Sequence, residues 1–288
     1  MAGNKSAIKS RIKSVNSTKK ITGAMELISN VKLSKNRNLM EKNRTYADAL
    51  EEVVSSILSG EMIEENDYLT KKDAKQKAYF IFTSDMGLCG GYNINISKLV
   101  KENVAKDDYV YFIGNKFYDQ LKADGYNIIN EQIGSDAVEY TTIKKYADNA
   151  LEMYKENKIS SINVIYTRFV NNINFKASLS CVLPGEKQSE SKEFKQIDFE
   201  PSADEILVDL IPMMVESQIY SKFLESKTSE HGNRRFAMEN ATDNANELTE
   251  KLQLAYNQAR QAAIAQEITE IVSGADAFRR KIWKILEK

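Results

Sequence analysis

The side chains that most often carry out chemistry are scarce in this chain. Its 288 residues include one histidine, His231, and two cysteines, Cys89 and Cys181. The cysteines are far apart with no second ligand at metal spacing, and a single imidazole would have to serve any histidine-based centre. His231 stands beside Gly232 in a helical pattern, so we interpret it as a solvent-facing helix residue. The residues therefore predict neither a metal site nor a Ser-His-Asp triad.

A glycine-rich segment, Met86 to Asn93, is the next candidate for chemistry. It follows an apolar run that predicts a strand, the position at which nucleotide-binding folds hold phosphate. However, its glycines do not fit the dinucleotide fingerprint, and no Lys-Ser/Thr pair follows them as in a phosphate loop. We interpret the glycines as residues of a tight turn. We expect no cofactor, no direct small-molecule substrate and no catalysis by this chain alone.

The segment lies in a middle region where short β-rich runs alternate with amphipathic ones. The predicted strands are 78–85, 108–114, 126–133, 161–170 and 174–184, and the predicted helices are 95–106, 115–124 and 137–158. This alternation favours a mainly parallel sheet covered by helices, with the last two strands forming an antiparallel hairpin around Asn171 and Asn172. The fold class is therefore α/β, with a Rossmann-like central domain.

Long helical patterns flank this domain at both ends of the sequence. Apolar residues recur at steps of three and four, the signature of a coiled-coil seam. In the N-terminal stretch they are Ile8, Ile12, Val15, Ile21, Met25, Ile28, Leu39, Tyr46, Leu50, Val53 and Ile57. In the C-terminal stretch they are Ala241, Ala245, Leu248, Leu252, Ala255, Ala259 and Ala262, then Ile264, Ile268, Ile271, Ala275, Phe278, Ile282 and Ile285.

Two long helices separated by a compact domain most simply pair with each other as a long antiparallel coiled coil. A helix from residue 213 onward would span about 110 Å, several times the diameter of a small domain. The predicted organisation is an N-terminal coiled-coil helix (1–58), a linker (59–77), the central α/β domain (78–202) and a C-terminal coiled-coil helix (203–288). The base expectation for such a rod is a spacer.

Charge is distributed unevenly although the net charge is only −1. Residues 1–44 hold eleven Lys or Arg against two Asp or Glu, whereas residues 45–70 hold seven Asp or Glu and no Lys or Arg. A basic helix suits a negatively charged partner, or is simply a solvated face. Because aromatic residues are not interleaved with the basic ones, we expect no nucleic acid. The sequence also lacks a long apolar run, so we expect no membrane-spanning helix. Because the two cysteines are far apart and a disulfide framework is not indicated, we expect a reduced, cytosolic setting.

Three strings together resemble one family, the gamma subunit of the rotary F-type ATP synthase. They are IKSRIKSVNSTKKITGAMELISNVKL (8–33), SDMGLCGGYN (84–93) and NRRFAMENATDNANELTEKLQLAYNQARQAAIAQEITEIVSGADA (233–277). The resemblance implies a central rotor shaft that couples transmembrane flow of H⁺ or Na⁺ to ATP synthesis or hydrolysis. It implies as partners three alpha and three beta subunits, an epsilon subunit and the membrane-embedded c-ring. It further implies a peripheral membrane protein at the cytoplasmic face of the cell membrane.

The resemblance also implies roles for particular residues. Contacts with the catch loop of a beta subunit would fall on Arg234, Arg260 and Gln261. The rotor helix would carry Met25 at a hinge-like position, beside Gly23, where the family usually has lysine. The foot that meets the ion ring and the epsilon subunit would include Ile197, Phe199 and Glu200. Two further departures from the family's pattern are Met86 for arginine and Ala265 for threonine.

Two alternatives remain from the residues alone. One is a stand-alone α/β enzyme with a coiled-coil dimerisation arm, and the other is a basic coiled-coil tether for nucleic acid. Stoichiometry separates them from the rotor. A rotor co-purifies as one copy with three alpha and three beta subunits, whereas a dimerisation arm gives a homodimer.

Overall fold

The computed structural model describes residues 2–58, 68, 72–184 and 203–286 of the chain. A long helix begins the described chain and a longer one ends it, with 57 and 84 residues. In order, the elements are α1 (Ala2–Leu58), β1 (Ala78–Phe82), α2 (Tyr92–Asn103), β2 (Tyr109–Ile113), α3 (Tyr118–Ala123), β3 (Asn127–Ile128), a 3₁₀ turn (Ser135–Ala137), α4 (Tyr140–Lys155), β4 (Ile162–Phe169), β5 (Phe175–Leu183) and α5 (Ala203–Leu286).

The strands form one sheet in the order β3-β2-β1-β4-β5. The pairs among β1, β2, β3 and β4 are parallel, and β5 is antiparallel to β4, which confirms the predicted hairpin. In the hairpin turn, the Asn171 side chain accepts hydrogen bonds from the backbone N–H groups of Ile173 and Asn174. All five residues of β1 are buried, as expected for a central strand covered on both faces.

Two hydrophobic cores cover the two faces of the sheet. One face packs against α2 through residues such as Ile96 and Val100. The other packs against α4, the beginning of α5 and the end of α1, through residues such as Ala147, Ile219 and Val54. The long helices are therefore built into the sheet's core at one end of each.

The chain divides into two compact units. One contains residues Met1–Glu26 and Met238–Lys288, and the other contains Leu27–Ala237. The second unit holds the whole sheet, together with the parts of α1 and α5 that pack on it. The first unit pairs the beginning of α1 with the C-terminal half of α5, from Met238 onward, and Thr22 Oγ1 lies 2.8 Å from Thr242 Oγ1 across the pair.

The buried stripe of α1 differs from the prediction. Its members recur at intervals of seven, four or three residues and include two polar ones; they are Thr22, Ser29, Leu33, Met40, Ala47, Val54 and Ile57. Five predicted seam residues are instead exposed: Ile21, Ile28, Leu39, Tyr46 and Val53. The prediction was wrong there by one position along the helix. The larger apolar residue was assigned to the seam each time, whereas its smaller, polar or equally apolar neighbour is the buried one: Thr22, Ser29, Met40, Ala47 and Val54.

The predicted stripe of α5 is right in its middle and wrong at its end. Ala245 is buried and Leu252, Ala255 and Ala259 are half-buried, all in the first unit. Leu248 and Ala262 are exposed, and the next predicted stripe is exposed as far as it is described, at Ile264, Ile268, Ile271 and Ala275. The side chains of Phe278, Ile282 and Ile285 lie outside the described residues. The described side chains of α5 from residue 264 to 277 are all exposed.

Candidate functional site

The carboxyl ends of the parallel strands are the usual ligand position in an open α/β sheet. Ligands bind there at the switch point, where connections leave neighbouring strands in opposite directions. In this sheet that point lies between β1 and β4. The backbone also approaches closely at this edge, since a Cβ on Gly114 would lie 2.4 Å from the carbonyl oxygen of Thr83, and Gly114 has φ +114°. Only glycine fits that position.

A side chain of α5 lies at the switch point. Ser226 Oγ is 2.8 Å from the hydroxyl of Tyr92, which begins α2, and accepts a hydrogen bond of 3.1 Å from the backbone N–H of Thr167 in β4. Burial raises the pKa of Tyr92 well above its usual range, and the nearby Glu230 carboxylate raises it further. The adjacent Glu225 accepts a hydrogen bond from the backbone N–H of Phe169, at the end of β4. Side chains of this chain therefore occupy the crevice that a nucleotide fills in related architectures.

Arg234 continues the same stretch of α5 and is buried. Its Nε donates to the Gly87 carbonyl at 3.4 Å and one terminal nitrogen donates to the Met86 carbonyl at 3.1 Å. The other terminal nitrogen lies 2.9 Å from Glu230 Oε1 and 3.2 Å from His231 Nδ1. The residue expected to reach a partner's catch loop is thus bonded to a turn of its own unit.

An ionic network extends from Arg234 across the unit. Glu230 Oε2 lies 3.4 Å from Lys227 Nζ, and both side chains are buried. Lys227 in turn donates to Ser135 Oγ at 3.0 Å and is ion-paired with Asp136. Lys32 of α1 approaches the same Asp136 carboxylate at 3.0 Å. The network therefore ties α1, the 3₁₀ turn and α5 together through paired charges.

The neighbouring lysines change the pKa of the Asp136 carboxyl. Although partial burial favours its protonated form, hydrogen bonds and charges from Lys227 and Lys32 hold its pKa well below the usual range. Next to it, Asp85 accepts from the backbone N–H groups of Ser135 and Asp136 at 2.7 and 2.9 Å. The loop after β1 and the 3₁₀ turn are thus joined by a second carboxylate.

His231 is not the solvent-facing residue that the sequence suggested. It is only 3% exposed, and burial lowers its pKa to about 3, aided by the charges of Lys227, Arg234 and Lys32. A neutral ring can accept the Arg234 hydrogen bond at Nδ1. The prediction was wrong because the face of α5 that carries Lys227, Glu230, His231 and Arg234 turns inward; its i, i+3, i+4 spacing was the available signal.

Gly232 has a packing role that the sequence did not reveal. A Cβ there would lie 2.4 Å from Cζ of Phe175, the first residue of β5. The glycine therefore lets the phenyl ring of Phe175 lie against the backbone of α5. Within a helix, such a contact accounts for a residue of low helix propensity.

The other expected site residues lie on the first unit or beyond the described chain. Arg260 and Gln261 are exposed on α5, and Gly23 and Met25 are half-buried on α1. A Cβ on Gly23 would meet nothing within 4 Å. The expected foot residues, Ile197, Phe199 and Glu200, lie outside the described residues. Among the described site residues, Arg234 belongs to the second unit and Gly23, Met25, Arg260 and Gln261 belong to the first.

Large apolar side chains are exposed on both long helices. On α1 they include Ile28 and Val31, which are 59% and 70% exposed, and on α5 they include Ile268 and Ile271, at 57% and 72%. Among the residues the structure describes, no three His, Cys, Asp or Glu side chains are grouped as metal ligands would be. None of the described helices is both long and apolar enough to cross a membrane.

Comparisons with solved structures match this architecture. A chain of the Euglena gracilis mitochondrial ATP synthase (OSCP/F1/c-ring, rotational state 3) superposes with a TM-score of 0.68 at 17% identity, covering 96% of this chain and 95% of that one. A chain of the Tetrahymena thermophila mitochondrial central stalk and c-ring gives 0.56 at 20% identity, covering 77% and 99%. At such identities the likeness shows a shared fold.

Sequence comparisons show more than a shared fold. Residues 4–278 match the family model described as ATP synthase. The ATP synthase gamma chain of Alkaliphilus metalliredigens is 40% identical over 94% of this chain and 98% of its own length. The sodium-ion-specific ATP synthase gamma chain of Acetobacterium woodii is 39% identical over 96% and 100%. This chain therefore belongs to the ATP synthase gamma-chain family.

Proposed function

We propose that this chain is the central rotor shaft of an ATP synthase and couples transmembrane ion flow to ATP synthesis or hydrolysis on partner subunits. The observation that carries the proposal is the family match over nearly the whole length, at 38–40% identity to three gamma chains. The catalytic sites belong to the alpha and beta subunits. The chain itself transmits torque.

The exposed apolar side chains support the proposal that partner subunits surround the long helices. A soluble monomer rarely exposes contiguous apolar patches, so such patches indicate interaction surfaces. Leu27, Ile28 and Val31 form one such patch on consecutive turns of α1. Ile264, Ile268 and Ile271 form another on α5, where residues 264–277 are all exposed. A surrounding ring of alpha and beta subunits would bury both patches.

Arg260 and Gln261 fit the proposed contact with the catch loop of a beta subunit. Both are exposed, and together they offer a rigid cationic fork and an amide that both donates and accepts. Such groups can bind a polar loop in one rotor orientation and release it in another. Gly23 and Met25 would lie on the rotor helix that turns inside the ring.

The remaining partners are the epsilon subunit and the membrane c-ring, which would meet the foot near Ile197, Phe199 and Glu200. Assembly on that ring would make the chain a peripheral membrane protein at the cytoplasmic face. The Acetobacterium woodii relative is named as sodium ion specific, so either Na⁺ or H⁺ is a candidate driving ion. Ion choice would be set by another subunit.

Co-expression with the alpha and beta subunits of the same organism tests the proposal. We expect a complex that contains one copy of this chain for three alpha and three beta subunits, with ATPase activity that depends on its presence. Native mass spectrometry gives the stoichiometry. A homodimer that does not associate with alpha and beta would contradict the rotor and favour the dimerisation-arm enzyme.

A further inference from the structure

We propose that Lys227 is a positioning residue for torque, which holds α5 at a fixed rotation about its own axis against the loops of the sheet. It acts together with neighbouring polar side chains of α5, residues 225–234, which we call the anchoring stretch. The inference rests on the proposed function, because the rotation of this helix affects coupling only in a rotor. The hold of Lys227 on the loops is a property of the chain alone.

The anchoring stretch lies where α5 leaves the sheet. Like α1, α5 is one continuous helix that belongs to both compact units, and its part of the second unit ends at Ala237. Torque on the first unit therefore reaches the sheet through the backbones of these two helices. The anchoring stretch begins only about 18 Å before that boundary, at 1.5 Å per residue. If α5 turned about its axis there, the rotation would be absorbed instead of reaching the sheet.

Two side chains of the anchoring stretch continue the hydrogen bonding of β4 where β1 ends. The register of β1 with β4 runs as far as Ile165. Beyond it, the backbone N–H of Thr167 donates to Ser226 Oγ at 3.1 Å. The backbone N–H of Phe169, two residues further on, donates to the Glu225 carboxylate at 3.0 Å. Side chains of α5 thus take the place of a neighbouring strand, and they reach these N–H groups at one rotation of the helix.

Lys227 adds a buried charge to this arrangement. Its side chain is 9% exposed, donates to Ser135 Oγ at 3.0 Å and is ion-paired with Asp136. Its Nζ also lies 3.4 Å from Glu230 Oε2. An ammonium group has three N–H donors, so each has an oxygen within reach. Because Ser135 and Asp136 belong to the 3₁₀ turn, Lys227 joins α5 to a second part of the sheet's loops.

Such directional bonds fix a rotation that apolar packing alone does not. Ile219 and Phe223, on the preceding turns of α5, are buried in the core, but the free energy of apolar burial depends on area and not on direction. A lysine Nζ lies roughly 6 Å from the helix axis, so a rotation of about 20° displaces it by about 2 Å. A hydrogen bond does not survive a displacement of that size. Lys227 therefore resists small rotations of α5.

The decisive variant is Lys227→Met, which removes the charge but keeps an unbranched side chain of similar length. The variant should fold, because Asp136 keeps its pair with Lys32 and Glu230 keeps its pair with Arg234. Lys32→Met is the matched control. It removes the other lysine of the same Asp136 carboxylate, but that side chain is 48% exposed, and exposed pairs contribute little to stability.

Hydrogen exchange of the full-length chain tests the first step. The amides of Thr167 and Phe169 report on the anchoring stretch, because their acceptors are side chains of α5. We expect Lys227→Met to accelerate their exchange by about tenfold, as the loss of a charge-assisted hydrogen bond implies, and Lys32→Met to leave it unchanged. The β1 amides of the same sheet should keep their wild-type rates. No acceleration at Thr167 and Phe169, or equal acceleration in β1, would overturn the proposal.

A second experiment uses the assembled complex in membrane vesicles and tests the effect on coupling. ATP turnover is measured in vesicles made leaky to ions, and the largest ion gradient is measured in sealed vesicles. We expect Lys227→Met to keep turnover in leaky vesicles but to lower the gradient by about twofold or more, because a helix with one charge-assisted bond fewer yields under load. Lys32→Met should reach the wild-type gradient.

The two vesicle measurements separate a loss of torque from a loss of folded complex. A wild-type gradient in Lys227→Met would overturn the proposal, and so would a fall of turnover and gradient by the same factor, since fewer assembled complexes would explain it. If the wild-type chain gave neither assembly nor pumping, the rotor function itself would be contradicted. The exchange result for Thr167 and Phe169 would then still stand as a property of the chain.

Discussion

Two stretches of α5 carry similar residue types but have opposite surroundings. In residues 226–234, Lys227, Glu230 and Arg234 are buried and pair with one another and with the loops of the sheet. In residues 247–261, Glu247 and Lys251 form an ion pair at 3.7 Å with side chains about 70% exposed, and Arg260 is exposed. The charged side chains of residues 226–234 pair within the chain and stabilise its fold, whereas those of residues 247–261 are exposed and can contact partners.

The largest difference between the stretches should be in stability. Replacing Glu230 by methionine leaves Arg234 buried without its carboxylate and Lys227 with Asp136 alone, and breaking a buried pair in this way typically costs about 3–5 kcal/mol. The matched substitution Glu247→Met removes one partner of an exposed pair and should change the free energy of unfolding by less than about 0.5 kcal/mol. Urea denaturation of the full-length chain measures both. Equal effects would contradict the distinction between the two stretches.

The next largest difference in stability should appear between alanine substitutions at a glycine inside the buried stretch and at glycines outside it. Gly232→Ala brings a methyl group against the ring of Phe175, and overpacking of this kind costs about 2 kcal/mol. Gly274→Ala and Gly23→Ala add their methyl groups in open space and should stabilise their helices by up to about 1 kcal/mol. Thermal denaturation shows whether each substitution raises or lowers the stability of the folded chain. Rescue of Gly232→Ala by Phe175→Leu would identify the ring as the cause.

His231 makes the buried stretch sensitive to acid. Its pKa is lowered to about 3 in the folded chain from an ordinary value of about 6.5, so the unfolded chain binds the proton first. Its contribution to stability is therefore complete above about pH 6.5 and falls as the pH is lowered toward 3. At pH 5.5 the loss should be about 1.4 kcal/mol relative to pH 7.5.

The titration has a clear control. The acidic group among the charges that act on His231 is the Asp136 carboxyl, and its lowered pKa keeps it ionised at pH 5.5. In His231→Gln the difference in stability between pH 7.5 and pH 5.5 should therefore shrink by about the same 1.4 kcal/mol. An unchanged pH dependence would show that the imidazole is not buried in its neutral form.

The smallest effects should come from the exposed stretch and appear only in the complex. Arg260→Ala and Gln261→Ala should leave the free energy of unfolding unchanged but lower ATP turnover of the assembled complex. The expected loss is several-fold, larger for Arg260, because a charge-assisted hydrogen bond is stronger than a neutral one. Steady-state ATPase assays with subunit content checked give the order. Full activity in both variants would refute the catch assignment.

The sequence predicted the α/β class, the helix-sheet-helix order and the closing hairpin, because these depend on local periodicity and turn residues. It placed β4 within one residue at each end, at Ile162–Phe169 against the predicted 161–170. Apolar residues alone misassigned the seam of α1, since Ile28 is exposed and Ser29 is buried. Periodicity identifies an apolar stripe but does not say whether it packs within the chain or against a partner.

The sequence by itself therefore determined the family, because the matching strings are long enough to be specific. It also determined that a long helix lies at each end of the chain, because helix geometry sets the apolar pattern. The tertiary structure alone decided what the polar residues of α5 do. Lys227, Glu230, His231 and Arg234 pair partly with one another along the helix, and the loops of the sheet supply their remaining partners. A buried charge is stable only when paired, and the partners outside the helix, Asp136 and the Met86–Gly87 carbonyls, lie about 90 to 150 residues away in sequence.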